Sequence, residues 1–245
     1  MNNSDMYNDL KKYLEKLASE KDILNEDIGV VYIRALLPEE AIGNPERTDF
    51  PILKGKEVMI EANFKGSKGQ AFTDEPGSFS GTVKDLLGLP LVSNKDRAVF
   101  VASLNAILRY FGIVNNTVHC KNNEPELCAE KFADYIADNF NSPKIAFFGF
   151  QPAMLSKLKE RFDIRLIDLD EDNIGKVKYG IKVLGPEYEE ELLSWCDLVL
   201  VTGSTAANGT MYRYINTGKP LIFYGVSGVS ICSILNLKRF CPYSQ

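Results

Sequence analysis

The chain has 245 residues, with 28 Lys and Arg against 33 Asp and Glu and a formal charge of −5. Hydrophobic residues at 45% and charged residues at 25% exclude a disordered chain, a fibrous repeat and a small disulfide scaffold. The length suffices for one large or two smaller domains. The slightly acidic balance argues against nucleic acid as a partner, because phosphate-driven binding rests on clustered Lys and Arg.

No stretch approaches the roughly 18–20 apolar residues that span a bilayer, so no membrane partner is expected. The first residues, MNNSDMYNDLKKYLEKLASEKDILN, lack the apolar core of a secretory signal. Five cysteines, an odd number, predict reduced thiols in the cytoplasm. The Asn-x-Thr matches at Asn115 and Asn208 are then chance, since glycosylation requires secretion.

Met6, Leu10, Tyr13, Leu14 and Leu17 have the spacing of an amphipathic opening helix. Asp27–Leu36 is β-branched and reads as a strand. Leu37–Lys56 carries three prolines and two glycines and reads as turn and loop. Glu57–Phe64 is a second strand, Gln70–Thr73 a short third one, and the rest of Lys65–Gly81 a loop. Gly81–Gly88 reads as a short helix closed by glycine. Asn94–Phe111 is the clearest helix, with Asn94 or Asp96 as its cap. Ile113–Pro125 is polar and reads as a linker, and helical spacing returns over Glu126–Phe140.

From Lys144 the rhythm changes. Short apolar strands at Lys144–Phe150, Ile164–Leu169, Asp197–Thr202 and Pro220–Tyr224 alternate with helices at Ala153–Phe162, Glu187–Trp195 and Thr205–Thr217. Strands buried on both faces and separated by helices imply a parallel sheet with right-handed crossovers. The fold class expected is α/β: a small N-terminal α+β domain over residues 1–115, then a Rossmann-like three-layer sandwich over 116–245.

In such a sheet, ligands bind beyond the carboxyl ends of the strands. Those ends are Gly149-Phe150-Gln151-Pro152, Asp168-Leu169-Asp170, Thr202-Gly203-Ser204-Thr205 and Gly225-Val226-Ser227-Gly228. Gly with small polar neighbours lets backbone N–H groups approach an anion or polar ligand. Asp168 and Asp170 lie where a ribose-binding carboxylate often falls, although the first turn lacks G-x-G-x-x-G. Asn208 and Gly209 sit in the first turn of the expected helix, a poor place for glycine on propensity alone. Close approach of a ligand or another backbone explains it. Asn105 falls on the apolar stripe with Val101, Leu104 and Leu108, so it either pins a nearby loop or faces a cleft. Arg97 lies one turn before Val101, so it either shares that edge or is a solvated charge, the commoner case.

With one histidine, multi-histidine metal sites are excluded, and the spacing of His119, Cys120 and Cys128 matches no zinc knuckle. A hard cation on Asp74, Glu75, Asp168 and Asp170 is compatible with the sequence. Gly77-Ser78-Phe79-Ser80-Gly81 lacks the strand–turn–helix context of a nucleophile elbow.

The run Gly81–Leu91, then Ala102-Ser103-Leu104-Asn105-Ala106, then Thr202-Gly203-Ser204-Thr205 with Asn208-Gly209-Thr210, resembles the putative heavy-metal chelation family over about Ile28 to Leu237. The resemblance implies an N-terminal domain similar to that of enolase, a Rossmann-like second domain, and an active site between them. A soft-metal chelator wants convergent thiolates or imidazoles, which five dispersed cysteines and one histidine do not promise. The expected function is therefore binding or modification of a small polar metabolite or metal chelate in the interdomain cleft, by Gly149, Asp168, Asp170, Thr202, Gly203, Ser204, Thr205, Asn208, Gly209, Gly225, Ser227 and Asn105. A divalent metal and a nucleotide-like ligand are the cofactor classes left open. A metal chaperone or sensor and a non-catalytic interaction protein are the alternatives, and a homodimer is the base-rate assembly.

Overall fold

The computed structural model describes residues 2–24, 31–55 and 57–245. The opening helix α1 (Asn3–Glu20) starts on a reciprocal cap, in which Asn2 and Asp5 each accept the other's backbone N–H at 2.9 and 3.0 Å. It buries Met6, Leu10, Leu14 and Leu17 as its spacing requires. Of the expected strand Asp27–Leu36, β1 occupies Val31–Ala35, while residues 27–30 lie outside the described residues. The supposed loop 37–56 holds a helix, α2 (Pro38–Ile42), because Pro38 fits a first helical turn and Gly43 ends it at φ +67°.

Strands β2 (Val58–Phe64) and β3 (Ser67–Thr73) form a hairpin. The third strand begins earlier than Gln70 because Lys65 and Gly66, at φ +51° and +86°, make a two-residue turn that pairs Phe64 with Ser67. With β4 (Phe79–Gly81), these strands form an antiparallel sheet in the order β3-β2-β1-β4. Helix α3 (Val83–Leu87) follows, capped by Thr82. Helix α4 (Asn94–Tyr110) is capped by Ser93, whose Oγ accepts the Asp96 N–H at 3.0 Å, rather than by Asn94 or Asp96. Every residue from Arg97 to Leu108 is buried. One face of α4 lies on β2 and β3, so closely that a Cβ on Gly69 would stand 2.3 Å from Ala102 O.

Residues 113–123 are no free linker. Gln70 N donates to Thr117 O at 3.1 Å, and Val118 and Gln245 exchange backbone hydrogen bonds at 2.8 Å, which ties the segment to β3 and to the C-terminal residues. Helix α5 (Glu124–Asn139) follows. The second sheet then builds from β5 (Ile145–Phe148), β6 (Ile164–Ile167), β7 (Val177–Lys178), β8 (Ile181–Leu184), β9 (Leu198–Thr202), β10 (Leu221–Tyr224) and β11 (Arg239–Phe240). Its order is β11-β10-β9-β5-β6-β8-β7, parallel throughout except for β7. The β7–β8 hairpin turns on Tyr179 and Gly180, both at positive φ, a second tight turn without an Asn-Gly signature.

The parallel strands divide their side chains between two cores. Ile145 and Phe147 of β5 join Phe132, Leu155 and Leu200 on the α5 and α6 (Pro152–Leu158) side. Ala146 and Phe148 join Val199, Val201 and residues of α1 and α4 on the other. The second core also takes Ile60, Ala62 and Phe64 of β2, so it is continuous between the sheets. Helix α7 (Glu189–Trp195) precedes β9, and α10 (Val229–Ile234) follows β10. The single helix expected over Thr205–Thr217 is two, α8 (Thr205–Asn208) and α9 (Tyr212–Ile215), because Gly209 enters the left-handed region at φ +78°. Helix α4 packs against both α8 and α10.

Candidate functional site

Strand order reverses at β5: β6 lies on one side of it and β9 on the other. That is the position at which an open parallel sheet leaves a crevice beyond its carboxyl ends. Here the turns after β5, β6, β9 and β10 meet at one cavity of about 710 Å³, within the usual range for small-molecule sites. Its opposite wall comes from the first half of the chain, through Phe50, Ile52, Glu57, Phe72, Asp74 and His119 among others.

Nine of the twelve sequence-predicted residues line this cavity: Gly149, Asp168, Asp170, Thr202, Ser204, Thr205, Asn208, Gly225 and Ser227. Gly149 has φ +93° and donates its N–H to Ile167 O at 2.9 Å. The Tyr224 hydroxyl donates to Phe148 O at 2.9 Å and Gly149 O at 2.7 Å, so the end of β10 fixes the turn after β5. Burial holds the Tyr224 phenol well above its ordinary range, which keeps that donor protonated. Asp168 accepts the Phe150 N–H at 2.6 Å and the Asp170 N–H at 2.7 Å. Burial raises its carboxyl, and those two N–H groups oppose the rise. Thr202 and Ser204 hydroxyls stand 3.1 Å apart, and Asn208 Oδ1 accepts both the N–H and the hydroxyl of Thr210 at 3.0 and 2.6 Å. Gly225, at φ +83°, has open space where a Cβ would point.

The other three do structural work. Asn105 donates to Gln70 O and Val226 O, each at 3.1 Å, and accepts the Ser230 N–H at 3.0 Å. It therefore pins the turn after β10 to β3, and the cleft-facing alternative is overturned. Gly203 lets the turns after β9 and β10 pack, since a Cβ there would stand 2.7 Å from Gly228 N. Gly209 caps the end of α8 beside the Arg97 guanidinium and lies outside the cavity lining. Arg97 is no solvated charge. It is 8% exposed and donates to Ala207 O at 3.0 Å, to Leu91 O and Val92 O, and to Asn94 Oδ1. Ser227 lines the cavity, but its Oγ also accepts the Phe72 N–H at 2.9 Å, which latches one sheet to the other.

The residue sequence reasoning missed is Glu57. Register Val58↔Thr73 sets it at the end of β2, beside Asp74. Its side chain is half-buried, its open side is the cavity, and it makes no hydrogen bond or ion pair among the described residues. Burial, then Asp168, Asp74 and Asp170, push its carboxyl up to about 7. A lone glutamate at a strand start carries no signal of this, because the neighbours responsible arrive from the other sheet.

Seven carboxylates line the cavity (Glu57, Asp74, Asp168, Asp170, Glu171, Asp172 and Glu189), against one guanidinium among the described residues, Arg213. Arg213 stands 3.6 Å from Glu189. Of the supposed hard-cation donors, Glu75 instead accepts the Lys95 N–H at the start of α4. His119 meets Phe72 edge-on at 5.4 Å, and burial lowers its imidazole, which favours the neutral form. Among the described residues, no group of three or more His, Cys, Asp or Glu side chains is arranged to hold a metal ion. All five cysteines are free and buried, and none lines the cavity.

Residues 132–236 match the DUF364 family, described as "Putative heavy-metal chelation". Over that segment the chain is similar to DUF364. The chain is also similar to a solved DUF364-family protein of unknown function from Pyrococcus horikoshii, at 13% identity and a TM-score of 0.55, covering 91% of this chain and 79% of that one. That likeness establishes a shared fold. A second DUF364-family structure, from Desulfitobacterium hafniense, matches at 13% identity and a TM-score of 0.49 over 73% of this chain and 72% of that one. No curated protein matches the chain. Among the described residues, no helix is long and apolar enough to cross a membrane.

Proposed function

We propose that the protein binds a small polar metabolite or metal chelate in the cleft between its sheets and modifies it by proton transfer at Glu57. The observation that carries this reading is the Glu57 carboxyl, without a hydrogen-bond partner among the described residues, in the cavity where four strand-end turns converge, where burial and neighbouring carboxylates push it up to about 7. A group poised near the working pH is suited to accept and return a proton. Asp168 is held in position by two backbone N–H groups, and each oxygen keeps capacity for a ligand hydroxyl or amine. The hydroxyls of Ser204 and Thr202 supply hydrogen bonds from the β9 turn.

Heavy metal enters this reading as part of a ligand. Soft metals prefer thiolate and imidazole, whereas the cavity offers mainly carboxylate and hydroxyl oxygens, and the five thiols stand outside its lining. Free thiols suit a reducing compartment, so the cytoplasm is the proposed location. Thermal-shift screening against nucleotides, S-adenosylmethionine, siderophore-like chelators and divalent metals tests the proposal. A ligand whose stabilisation is lost in Ser204→Ala or Asp168→Asn supports it, and no stabilisation by any class rejects it.

A further inference from the structure

Among the described residues that line the cleft, carboxylates outnumber cations, and they come from independent sources. Glu57 and Asp74 come from the ends of β2 and β3 in the antiparallel sheet, and Asp168 from the end of β6 in the parallel one. Two layers thus bring like charges to one recess. Carboxylates gathered away from water repel one another, and the recess strengthens the repulsion. Asp168 is anchored by backbone N–H groups, and Asp74 accepts Asn94 Nδ2 at 2.8 Å. Glu57 has no such partner among the described residues and opens onto the cavity. An acceptor of this kind is complementary to a donor brought by a ligand.

The lining also carries aromatic rings among its apolar residues. Phe72 lies on the same strand as Asp74's approach, and Phe148 and Tyr214 pack 4.6 Å apart at the cavity. A bare metal ion would leave this surface unused and would want three or more carboxylates converging on a point, an arrangement not found among the described residues. An apolar body carrying a positive charge uses both walls, because aromatic faces also attract cations.

We infer that the cleft selects organic cations, setting a protonated ligand nitrogen against Glu57, Asp168 and Asp74 and the ligand's apolar body against Phe72 and Tyr214. The inference rests on the cleft being the binding site, as proposed above, and adds the chemical class of its ligand.

Three probes with one body and three charges test it at pH 8: tryptamine, tryptophol and indole-3-propionate, followed by saturation-transfer NMR and calorimetry. The amine is expected to bind about tenfold tighter than the alcohol, the size of one charge-assisted hydrogen bond, with the acid weakest. Glu57→Gln is expected to reduce the amine's advantage over the alcohol. Equal binding of the three probes, a preference for the acid, or an undiminished amine preference in Glu57→Gln overturns the inference. Displacement of tryptamine by MgCl2 that also stabilises the protein overturns it in favour of a bare cation. If no probe binds, the inference falls. The nucleotide and chelator screen then judges the cleft separately, since an uncharged or anionic ligand found there leaves the site standing without its charge selection.

Discussion

Gly149 and Thr202 touch across the point where the strand order reverses: a Cβ on Gly149 would stand 2.4 Å from Thr202 Cγ2. Gly149 also holds φ +93°, which side chains resist. Gly149→Ala is therefore expected to cost about 2–4 kcal/mol through strain and overpacking together. Urea denaturation measures it. A loss under about 0.5 kcal/mol, the scale of an ordinary surface change, would contradict the crowding.

Glu57 gives the protein a pH signature. Its carboxyl rises from 4.5 unfolded to about 7 folded, so the folded state holds the proton more tightly. Below pH 4.5 both states are protonated and the group costs nothing. As pH rises through the window to about 7, the fold must bear a carboxylate facing Asp168, Asp74 and Asp170, and stability falls. Glu57→Gln removes that burden. Its melting temperature is expected to exceed wild type at pH 8 and to match it near pH 4.5. Equal curves at both values would mean that the carboxyl is ordinary.

Asn105 is expected to be worth more to the fold than its neighbours on the helix suggest. Asn105→Leu keeps the volume but leaves Val226 O and Ser230 N buried without a partner. The expected cost is about 2–4 kcal/mol for two orphaned backbone groups. Chemical denaturation reads the cost. Ligand affinity should fall too, because the same turn carries Ser227.

Arg97 binds backbone carbonyls in place of a pairing carboxylate. Arg97→Met is expected to cost about 2–4 kcal/mol, since Ala207 O, Leu91 O and Val92 O lose their donor. Arg97→Lys should recover only part of it, because an ammonium cannot span the same fork. Full recovery in the lysine variant would show that charge alone matters.

Much of this architecture is written locally. KIAFFGF and DLVLVT are continuous apolar runs because their strands are covered on both faces, and their ends could be listed without coordinates. The hairpins at Lys65-Gly66 and Tyr179-Gly180 escaped because Lys65 and Tyr179 adopt positive φ without being Gly, Asn or Asp. Pro38 misled in the opposite direction, since proline opens helices as readily as it marks loops. At the site, backbone turns were legible and side-chain roles were not. Asn105 spends its amide on Gln70, Val226 and Ser230, and Glu57 acquires its character from Asp168, all contacts that depend on distant parts of the chain meeting.

Helix α4 is enclosed from Arg97 to Leu108, with β2 and β3 on one side and α8 and α10 on another. A clamshell motion that parted the two sheets would have to strip this rod of its packing and break the Asn105 and Ser227 latches at the same time. A ligand of the proposed kind would therefore pass through the rim and not between opening halves. Leu169, 54% exposed, is a lining residue open to solvent.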